Sequence, residues 1–190
     1  MGKLILGYSG SFKTMGEDKG IVNVFKAIKI LSPSYPNIFF AAVGGSKDDI
    51  QVHQKIADSM GISNKIALVE KVIMDRLAIY QKACDGLLMP FPFTKHYAHY
   101  MSPLKMFEYM ASKRPIIASG LPSIREILNN NNAVLVRPGD YKDLADGIEK
   151  IIINKELGGR LAEQAFKDVQ EYSWEKRAER ILDFIIKQNY

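Results

Sequence analysis

Three polar residues inside one apolar segment have the types and the spacing to bind a ligand. Lys105, Glu108 and Ser112 recur at positions i, i+3 and i+7, so on a helix they form one polar stripe. The other positions of the segment are apolar almost all the way round, which predicts a largely buried helix. A buried helix that keeps a charged stripe near its start indicates that the stripe faces a ligand.

The start of this helix has chemistry that suits a phosphorylated ligand. Ser102 before Pro103 predicts the helix start, because serine can cap a first turn and proline fits the first helical position. The first backbone N–H groups of a helix are unpaired and its dipole adds partial positive charge, which a cationic Lys105 would reinforce. One turn further, the Glu108 carboxylate can accept two hydroxyl hydrogen bonds, as a ribose diol would offer. The alternative is a solvent-exposed Lys105–Glu108 pair worth about a few tenths of a kcal/mol, and the spacing leaves both open.

Short apolar runs alternate with helical patterns along the chain, and these elements must position the stripe. The predicted strands span residues 4–8, 37–45, 65–69, 86–89, 115–118 and 133–136. The predicted helices span residues 19–31, 47–60, 74–83, 103–114, 122–129, 144–154, 156–169 and 173–187. This alternation predicts an α/β fold with a Rossmann-like, doubly wound, parallel six-stranded sheet and helices on both faces. We expect Trp174 to anchor the last helix, and residues 91–101 show no convincing periodicity.

The loops that follow the predicted strands should meet at one rim of the sheet, because ligands of doubly wound sheets bind beyond the carboxyl ends of the strands. These loops are residues 10–18, 44–45, 91–101 and 119–120.

Composition and charge narrow the class of protein. The 190 residues, 47% hydrophobic and 25% charged, are typical of a globular protein, and we expect a single domain over residues 1–190. The lone cysteine, Cys84, excludes an internal disulfide, and the absence of a secretory signal or a long apolar run favours a cytoplasmic location. The net charge of +5, from scattered lysines, suits an anionic small molecule or a peripheral place at the inner face of a membrane, and argues against a nucleic-acid partner.

The segment around the stripe closely resembles the donor-binding segment of the retaining GT-B glycosyltransferases of family 4 (glycosyl transferases group 1). The resemblance rests on Ser-Pro-Leu-Lys-Met-Phe-Glu-Tyr-Met-Ala followed by Lys-Arg-Pro-Ile-Ile-Ala-Ser, residues 102–111 and 113–119. It extends over nearly the whole chain, but only to the donor-binding half of such enzymes, so it implies one half of a GT-B fold without the N-terminal acceptor domain. It also implies that Glu108 binds the ribose of a nucleotide-diphospho-sugar and that the turn formed by Ser102, Pro103, Leu104 and Lys105 lies against its diphosphate.

The same resemblance extends the expected donor site to the first loop. Gly10-Ser11 with Lys19-Gly20 is similar to the family's Gly-Arg … Lys-Gly pair, in which the arginine and the lysine hold the diphosphate. Lys19 matches that lysine, whereas Ser11 stands where many members have arginine. One phosphate contact is therefore either absent or supplied by Lys13.

Further positions follow from the resemblance alone. Gly44 would lie beside the nucleotide, and Val72 would lie where members contact the base through backbone atoms, which leaves the base open. Tyr100 replaces the first glutamate of the family's Glu-x7-Glu pattern, so the contacts to the donor sugar are open, with His96 or His99 as alternatives. No catalytic residue is assigned.

The function implied by the resemblance is that of a retaining hexosyltransferase, which transfers a sugar from a nucleotide-diphospho-sugar to a saccharide or lipid acceptor. Without an acceptor domain, the isolated chain should bind the donor and transfer little or nothing. No cofactor or metal is expected, since the chain has no Asp-x-Asp motif. The alternative is a stand-alone nucleotide-binding or interaction module without catalysis. A dinucleotide-dependent oxidoreductase is disfavoured, because the first strand runs into Gly-Tyr-Ser-Gly-Ser and not into Gly-x-Gly-x-x-Gly.

Overall fold

The main sheet of the protein is built from short apolar strands. The computed structural model describes residues 2–14 and 16–188. In chain order its strands are β1 (Leu4–Ser9), β2 (Lys13–Thr14), β3 (Glu17–Asp18), β4 (Ile38–Gly45), β5 (Ile66–Glu70), β6 (Gly86–Met89), β7 (Ile116–Ser119) and β8 (Val134–Val136). Six of them form one sheet in the order β5-β4-β1-β6-β7-β8, in which every neighbouring pair is parallel. The predicted parallel six-stranded sheet is therefore confirmed.

Helices cover both faces of this sheet. In chain order they are α1 (Ile21–Leu31), α2 (Lys47–Met60), α3 (Met74–Lys82), α4 (Lys95–His99), α5 (Leu104–Ala111), α6 (Pro122–Arg125), α7 (Tyr141–Ile153), α8 (Lys155–Val169) and α9 (Trp174–Gln188). The α1, α2 and α7 helices share one hydrophobic core with β1 and β4, which includes Phe25 and Phe40. The α5 and α8 helices share a second core with β6 and β7, which includes Met89 and Tyr109. The strands read as continuous apolar runs because both of their faces are covered.

The order of the strands reverses beside β1, which creates the switch point of the sheet. From β1 the chain moves to β4 and β5 on one side, and it then returns to β6, β7 and β8 on the other side. In doubly wound sheets, ligands bind in the crevice outside the carboxyl ends of the strands at such a point. The turn after β1 and the segment 91–101 after β6 therefore flank the expected site.

Two stretches that were expected to be irregular contain short regular structure. The β2 and β3 strands form an antiparallel hairpin, in which Lys13 pairs with Asp18 and Thr14 pairs with Glu17. The α4 helix lies within residues 91–101, and the Thr94 hydroxyl caps it by accepting a hydrogen bond from the Tyr97 N–H at 3.1 Å. Strands of two residues and a helix of five are too short to produce a readable hydrophobic period.

The start of α5 differs from the prediction by one residue. The backbone of Pro103 is extended, with a ψ of 118°, so Pro103 is the N-cap residue and the helix begins at Leu104. Ser102 is exposed and makes no capping hydrogen bond, so its expected capping role is wrong. The helix is also less buried than expected, because Leu104 is 65% exposed while Met106 is buried.

The α9 helix leaves most of its large apolar side chains on the surface. Trp174 is 71% exposed, so it does not anchor the helix by burial, and its indole ring lies 5.6 Å from the Arg177 guanidinium. Leu182 and Phe184 are also exposed. Among residues 2–14 and 16–188, no helix combines the length and the apolar character needed to cross a bilayer.

Candidate functional site

A cavity of about 420 Å³ lies at the switch point of the sheet. It is bordered by the turn after β1, the start of α1, the segment 91–101 and the first turn of α5. Most of the residues expected at a donor site line its wall, namely Gly10, Ser11, Lys19, Pro103, Leu104, Lys105 and Glu108. The topology therefore brings together residues that are far apart in the sequence.

Three of the expected residues do not line this cavity. Gly44 lies directly behind its wall with a φ of +119°, and a Cβ atom there would come within 2.7 Å of the Gly10 carbonyl group. A glycine at this position lets the end of β4 approach the turn after β1. Val72 lies between β5 and α3, and Ser102 borders a neighbouring groove beside α9.

Lys105 places a buried ammonium group at the wall of the cavity. Its Nζ atom is inaccessible to solvent and has no hydrogen-bond partner within the described part of the chain. It lies 3.7 Å from the centroid of the Tyr8 ring and 5.4 Å from that of the Phe91 ring. Burial, followed by repulsion from Lys19, lowers the pKa of Lys105 well below its ordinary value. A buried amino group that lies against aromatic faces and has no hydrogen-bond partner among the described residues is the kind of group that an anionic ligand would satisfy.

The position of Lys105 follows from two local features. Tyr109, one turn further along α5, accepts a hydrogen bond at 2.7 Å from the Ser9 N–H at the end of β1. This bond fixes α5 against the strand and brings Lys105 over the following turn. A Cβ atom on Gly10 would lie 3.0 Å from the Lys105 Nζ atom, so the missing side chain leaves room for the ammonium group.

Lys19 brings a second cation to the same cavity. Its Nζ donates a hydrogen bond to the Ser11 hydroxyl at 2.8 Å, and burial lowers the pKa of Lys19. Ser11 therefore contacts Lys19. Lys13 does not line the cavity, since its ammonium group pairs with Asp49 at 3.7 Å. The alternative in which Lys13 supplies the missing phosphate contact finds no support in this arrangement.

Glu108 is held by a residue that the sequence did not single out. Gln81 on α3 is 6% exposed, and its Nε2 donates to Glu108 Oε2 at 3.0 Å and to the Ser9 hydroxyl at 3.1 Å. The amide therefore orients the carboxylate at the cavity wall. No sequence signal marked Gln81, because its partners Glu108 and Ser9 lie 27 and 72 positions away.

Residues of the segment 91–101 separate into two groups. His96 and the buried Tyr97 line the cavity, whereas Tyr100 and His99 do not. Tyr100, which the resemblance places where many members have a glutamate, is 69% exposed. Tyr97 was not among the expected site residues, although its ring packs against Phe91, with 5.3 Å between centroids.

Metal-ligating chemistry is not apparent at the cavity. Within residues 2–14 and 16–188, no group of three or more histidine, cysteine, aspartate or glutamate side chains could hold a metal ion. The positive charge at the cavity comes from Lys19 and Lys105, and the negative charge from Glu108. This set of groups can bind a phosphate and a pair of hydroxyls.

A larger cavity of about 540 Å³ lies away from these groups, between the start of α5 and α9. Its wall is mainly aromatic and aliphatic, including Phe107, Trp174 and Phe184, with Arg177 at its border. Glu171 and Arg180 also line it and pair with each other at 3.7 Å. The smaller cavity, at the switch point, holds the buried Lys105 ammonium, which has no hydrogen-bond partner in the described part of the chain, so we assign the candidate site to the smaller cavity.

The sheet, its flanking helices and the position of the cavity define one Rossmann-like half of the GT-B glycosyltransferase fold. Over residues 2–168 the chain matches the family described as Glycosyl transferases group 1, and it belongs to that family.

Individual relatives are distant but cover nearly the whole chain. A D-inositol 3-phosphate glycosyltransferase of Stackebrandtia nassauensis is 21% identical over 185 residues, covering 94% of this chain and 40% of the relative. The Anabaena protein HepE, solved in complex with UDP, superimposes with a TM-score of 0.78 at 17% identity, covering 97% of this chain and 49% of HepE. The C-terminal domain of the glycosyl transferase group 1 protein LpcC from Francisella tularensis superimposes with a TM-score of 0.72 at 22% identity, covering 91% of this chain and 88% of that domain. The chain thus spans about two fifths of the curated relative and about half of HepE.

Proposed function

We propose that this chain is the donor-binding domain of a retaining glycosyltransferase, which binds a nucleotide-diphospho-sugar at the switch-point cavity. The sugar would pass to a saccharide or lipid acceptor. The observation that carries this proposal is the buried ammonium of Lys105, which has no hydrogen-bond partner within the described residues and lies at the cavity wall. Family membership supports transferase chemistry, and the site supports the phosphorylated donor.

The phosphate end of the donor would lie between the two lysines. Desolvating an unpaired cation is costly, and phosphate oxygens would give the Lys105 ammonium the hydrogen bonds and opposite charge that the protein does not supply. Lys19 would bind the same diphosphate from the start of α1. First-turn N–H groups of α5 can add to this anion site, because Pro103 has no side-chain oxygen to cap them.

The ribose would bind at Glu108. Gln81 occupies one site on the carboxylate, and the remaining lone pairs can accept hydrogen bonds from two hydroxyls. Because Glu108 lies one helical turn beyond Lys105, the diol and the diphosphate would bind at adjacent places, as they occur in a nucleoside diphosphate.

Two lysines can balance the diphosphate charge, so we propose that binding needs no metal ion. UDP is the first nucleotide to test, since HepE was solved with UDP. Because the chain spans about half of HepE, groups that bind the acceptor would come from outside this domain. The isolated chain should therefore bind the donor without transferring the sugar.

Calorimetric titration with UDP, GDP and ADP in the presence of EDTA tests this proposal. We expect one nucleotide to bind, and we expect its nucleoside to bind more weakly because the lysines contribute nothing to it. Failure of all three nucleotides to bind would overturn the donor assignment. A transfer assay with the matching nucleotide-sugar checks the expectation that the isolated chain does not transfer the sugar. Robust transfer by the isolated chain would show that the catalytic site is complete within it.

A further inference from the structure

A buried histidine contacts the residue that precedes Lys19 in the chain. His53 on α2 is 1% exposed, and both of its ring nitrogens have oxygen partners. Nδ1 lies 2.7 Å from the Asp49 carbonyl oxygen, and Nε2 lies 2.9 Å from Asp18 Oδ2. Two phenylalanine rings, those of Phe12 and Phe25, meet the imidazole edge-on, with centroids 5.3 and 6.2 Å away.

These partners select the protonated imidazole. A backbone carbonyl can only accept a hydrogen bond, so Nδ1 carries a proton, and an ionised Asp18 needs a second proton on Nε2. Burial alone lowers the pKa of His53, but the hydrogen bonds to Asp18 and to the Asp49 backbone outweigh burial and raise it above 6.5. The other charged group that acts on the ring is Lys13, which opposes this rise and whose ammonium pairs with the Asp49 carboxylate.

Asp18 connects His53 to the phosphate end of the candidate site. Its Oδ1 accepts a hydrogen bond from the Gly20 N–H at 2.6 Å, at the start of α1. Lys19 lies between Asp18 and Gly20 in the chain, and its backbone N–H donates to the Phe12 carbonyl oxygen at 2.9 Å. The Asp18 carboxylate therefore holds the segment from which the Lys19 ammonium reaches the cavity wall.

We propose that His53 is a positioning residue for the diphosphate subsite, and that it acts through Asp18. When the imidazole is protonated, the pair carries no net charge and Asp18 holds the start of α1. When the imidazole loses its proton, Nε2 presents a lone pair to the carboxylate, and a net negative charge remains close to the phosphates. Deprotonation of His53 should therefore weaken the binding of a nucleoside diphosphate. This inference rests on the proposed function.

Two variants give the two charge states of the pair at every pH above the lowered His53 pKa of the first one. Asp18→Asn keeps an oxygen for the Gly20 N–H and offers an N–H to a neutral imidazole, so its pair stays neutral. His53→Gln offers an N–H to Asp18 but carries no charge, so its pair stays negative. All proteins are made in a His96→Gln background, because His96 is a second imidazole that lines the cavity. Lys105 and the UDP phosphate titrate in every protein. Differences in pH profile between the proteins therefore come from the His53–Asp18 pair.

The experiment is calorimetric titration with UDP and uridine from about pH 6 to about pH 9, with an NMR titration of the His53 ring. We expect a His53 pKa above 6.5, and a lower value in Asp18→Asn. The UDP affinity of the parental protein should equal that of Asp18→Asn at low pH and that of His53→Gln at high pH. Between these limits the affinity should fall by about fivefold, as expected for one hydrogen bond. Uridine affinity should not follow this pattern.

The result separates three cases. If the parental protein and Asp18→Asn show the same pH profile for UDP, or if His53 titrates below 6.5, His53 has only a packing role and the inference is overturned. If His53→Gln does not fold, two measurements still test the inference. These are the UDP pH profiles of the parental protein and Asp18→Asn, and the NMR titration of His53. If the parental protein binds no UDP at any pH while His53 titrates above 6.5, the donor assignment fails, and the positioning role fails with it.

Discussion

Replacing Lys105 by methionine separates the effect of its buried ammonium on the free protein from its effect on ligand binding. Methionine keeps an unbranched apolar chain, so the packing around the stem changes little. An unsatisfied buried polar group costs about 1–3 kcal/mol. The cation–π contact with the Tyr8 ring, 3.7 Å from Nζ, offsets part of that cost, by about 0.5–2 kcal/mol. We therefore expect Lys105→Met to raise the free energy of unfolding of the free protein by about 1 kcal/mol.

The same substitution should weaken UDP binding. Hydrogen bonds that involve a charged group contribute about 1.5–3 kcal/mol, and the ammonium is placed to make such bonds to a diphosphate. We expect the UDP affinity to fall by about tenfold to 100-fold. Denaturant unfolding measures the first effect and calorimetry measures the second. Lys55→Met is the matched control, because Lys55 is an exposed lysine on α2 that does not line the cavity.

The depressed pKa of Lys105 adds a signature in the pH dependence. In the folded protein the pKa lies well below 10.5, whereas in the unfolded chain it returns to that value. Between the two pKa values the unfolded state binds more protons, so the free energy of unfolding contributed by this group rises with pH. Lys105→Met should lose that slope. An anionic ligand raises the pKa of Lys105, so UDP binding should take up protons in wild type more than in the variant.

One combination of results would refute this reasoning about Lys105. If Lys105→Met destabilised the free protein and bound UDP as tightly as wild type, the ammonium would be serving the fold and not the ligand. Equal proton uptake by wild type and Lys105→Met on UDP binding would likewise show that the ammonium does not contact the ligand.

Three further substitutions test other parts of the site. Glu108→Gln should weaken UDP binding by about 1–3 kcal/mol with little change in melting temperature, and equal affinities by calorimetry would remove Glu108 from the ribose contact. Lys19→Ala should weaken UDP binding more than uridine binding, and an equal loss for both would make its role structural. Gly44→Ala should lower the free energy of unfolding by at least about 1 kcal/mol, because a side chain is strained at a φ of +119° and would meet the Gly10 carbonyl group at 2.7 Å; a denaturation curve like that of wild type would contradict this.

The fold could be predicted because its signals are local. Each sheet strand is an apolar run, and helical patterns lie between the strands, so the alternation was enough to specify a parallel sheet covered on both faces. The start of α5 was misplaced by one residue because the sequence pattern does not fix whether Pro103 adopts helical or extended backbone. The β2–β3 hairpin was missed because two-residue strands carry no period.

The candidate site could be predicted only where one element carried the pattern. Lys105 and Glu108 share one face of α5, so their spacing was informative. Gln81 contacts Glu108 across 27 positions and Ser9 across 72, and nothing local marks such a partner. His53 could not be predicted either. In the sequence it is one of several polar residues on α2, and only the fold places its Nε2 2.9 Å from Asp18 Oδ2.

Ser11 stands where the family resemblance places an arginine in many members, so the positive charge at the cavity wall comes from two lysines. Lys19 is held by Ser11 at 2.8 Å, and Lys105 is buried against Tyr8. A third cation, Lys13, is occupied by Asp49 and stays off the cavity wall. Because repulsion between Lys19 and Lys105 helps to lower the pKa of Lys105, the two ammonium groups are least compatible in the free protein. If a diphosphate binds between them as proposed, it would relieve that repulsion, and the site should favour an anion over a neutral nucleoside.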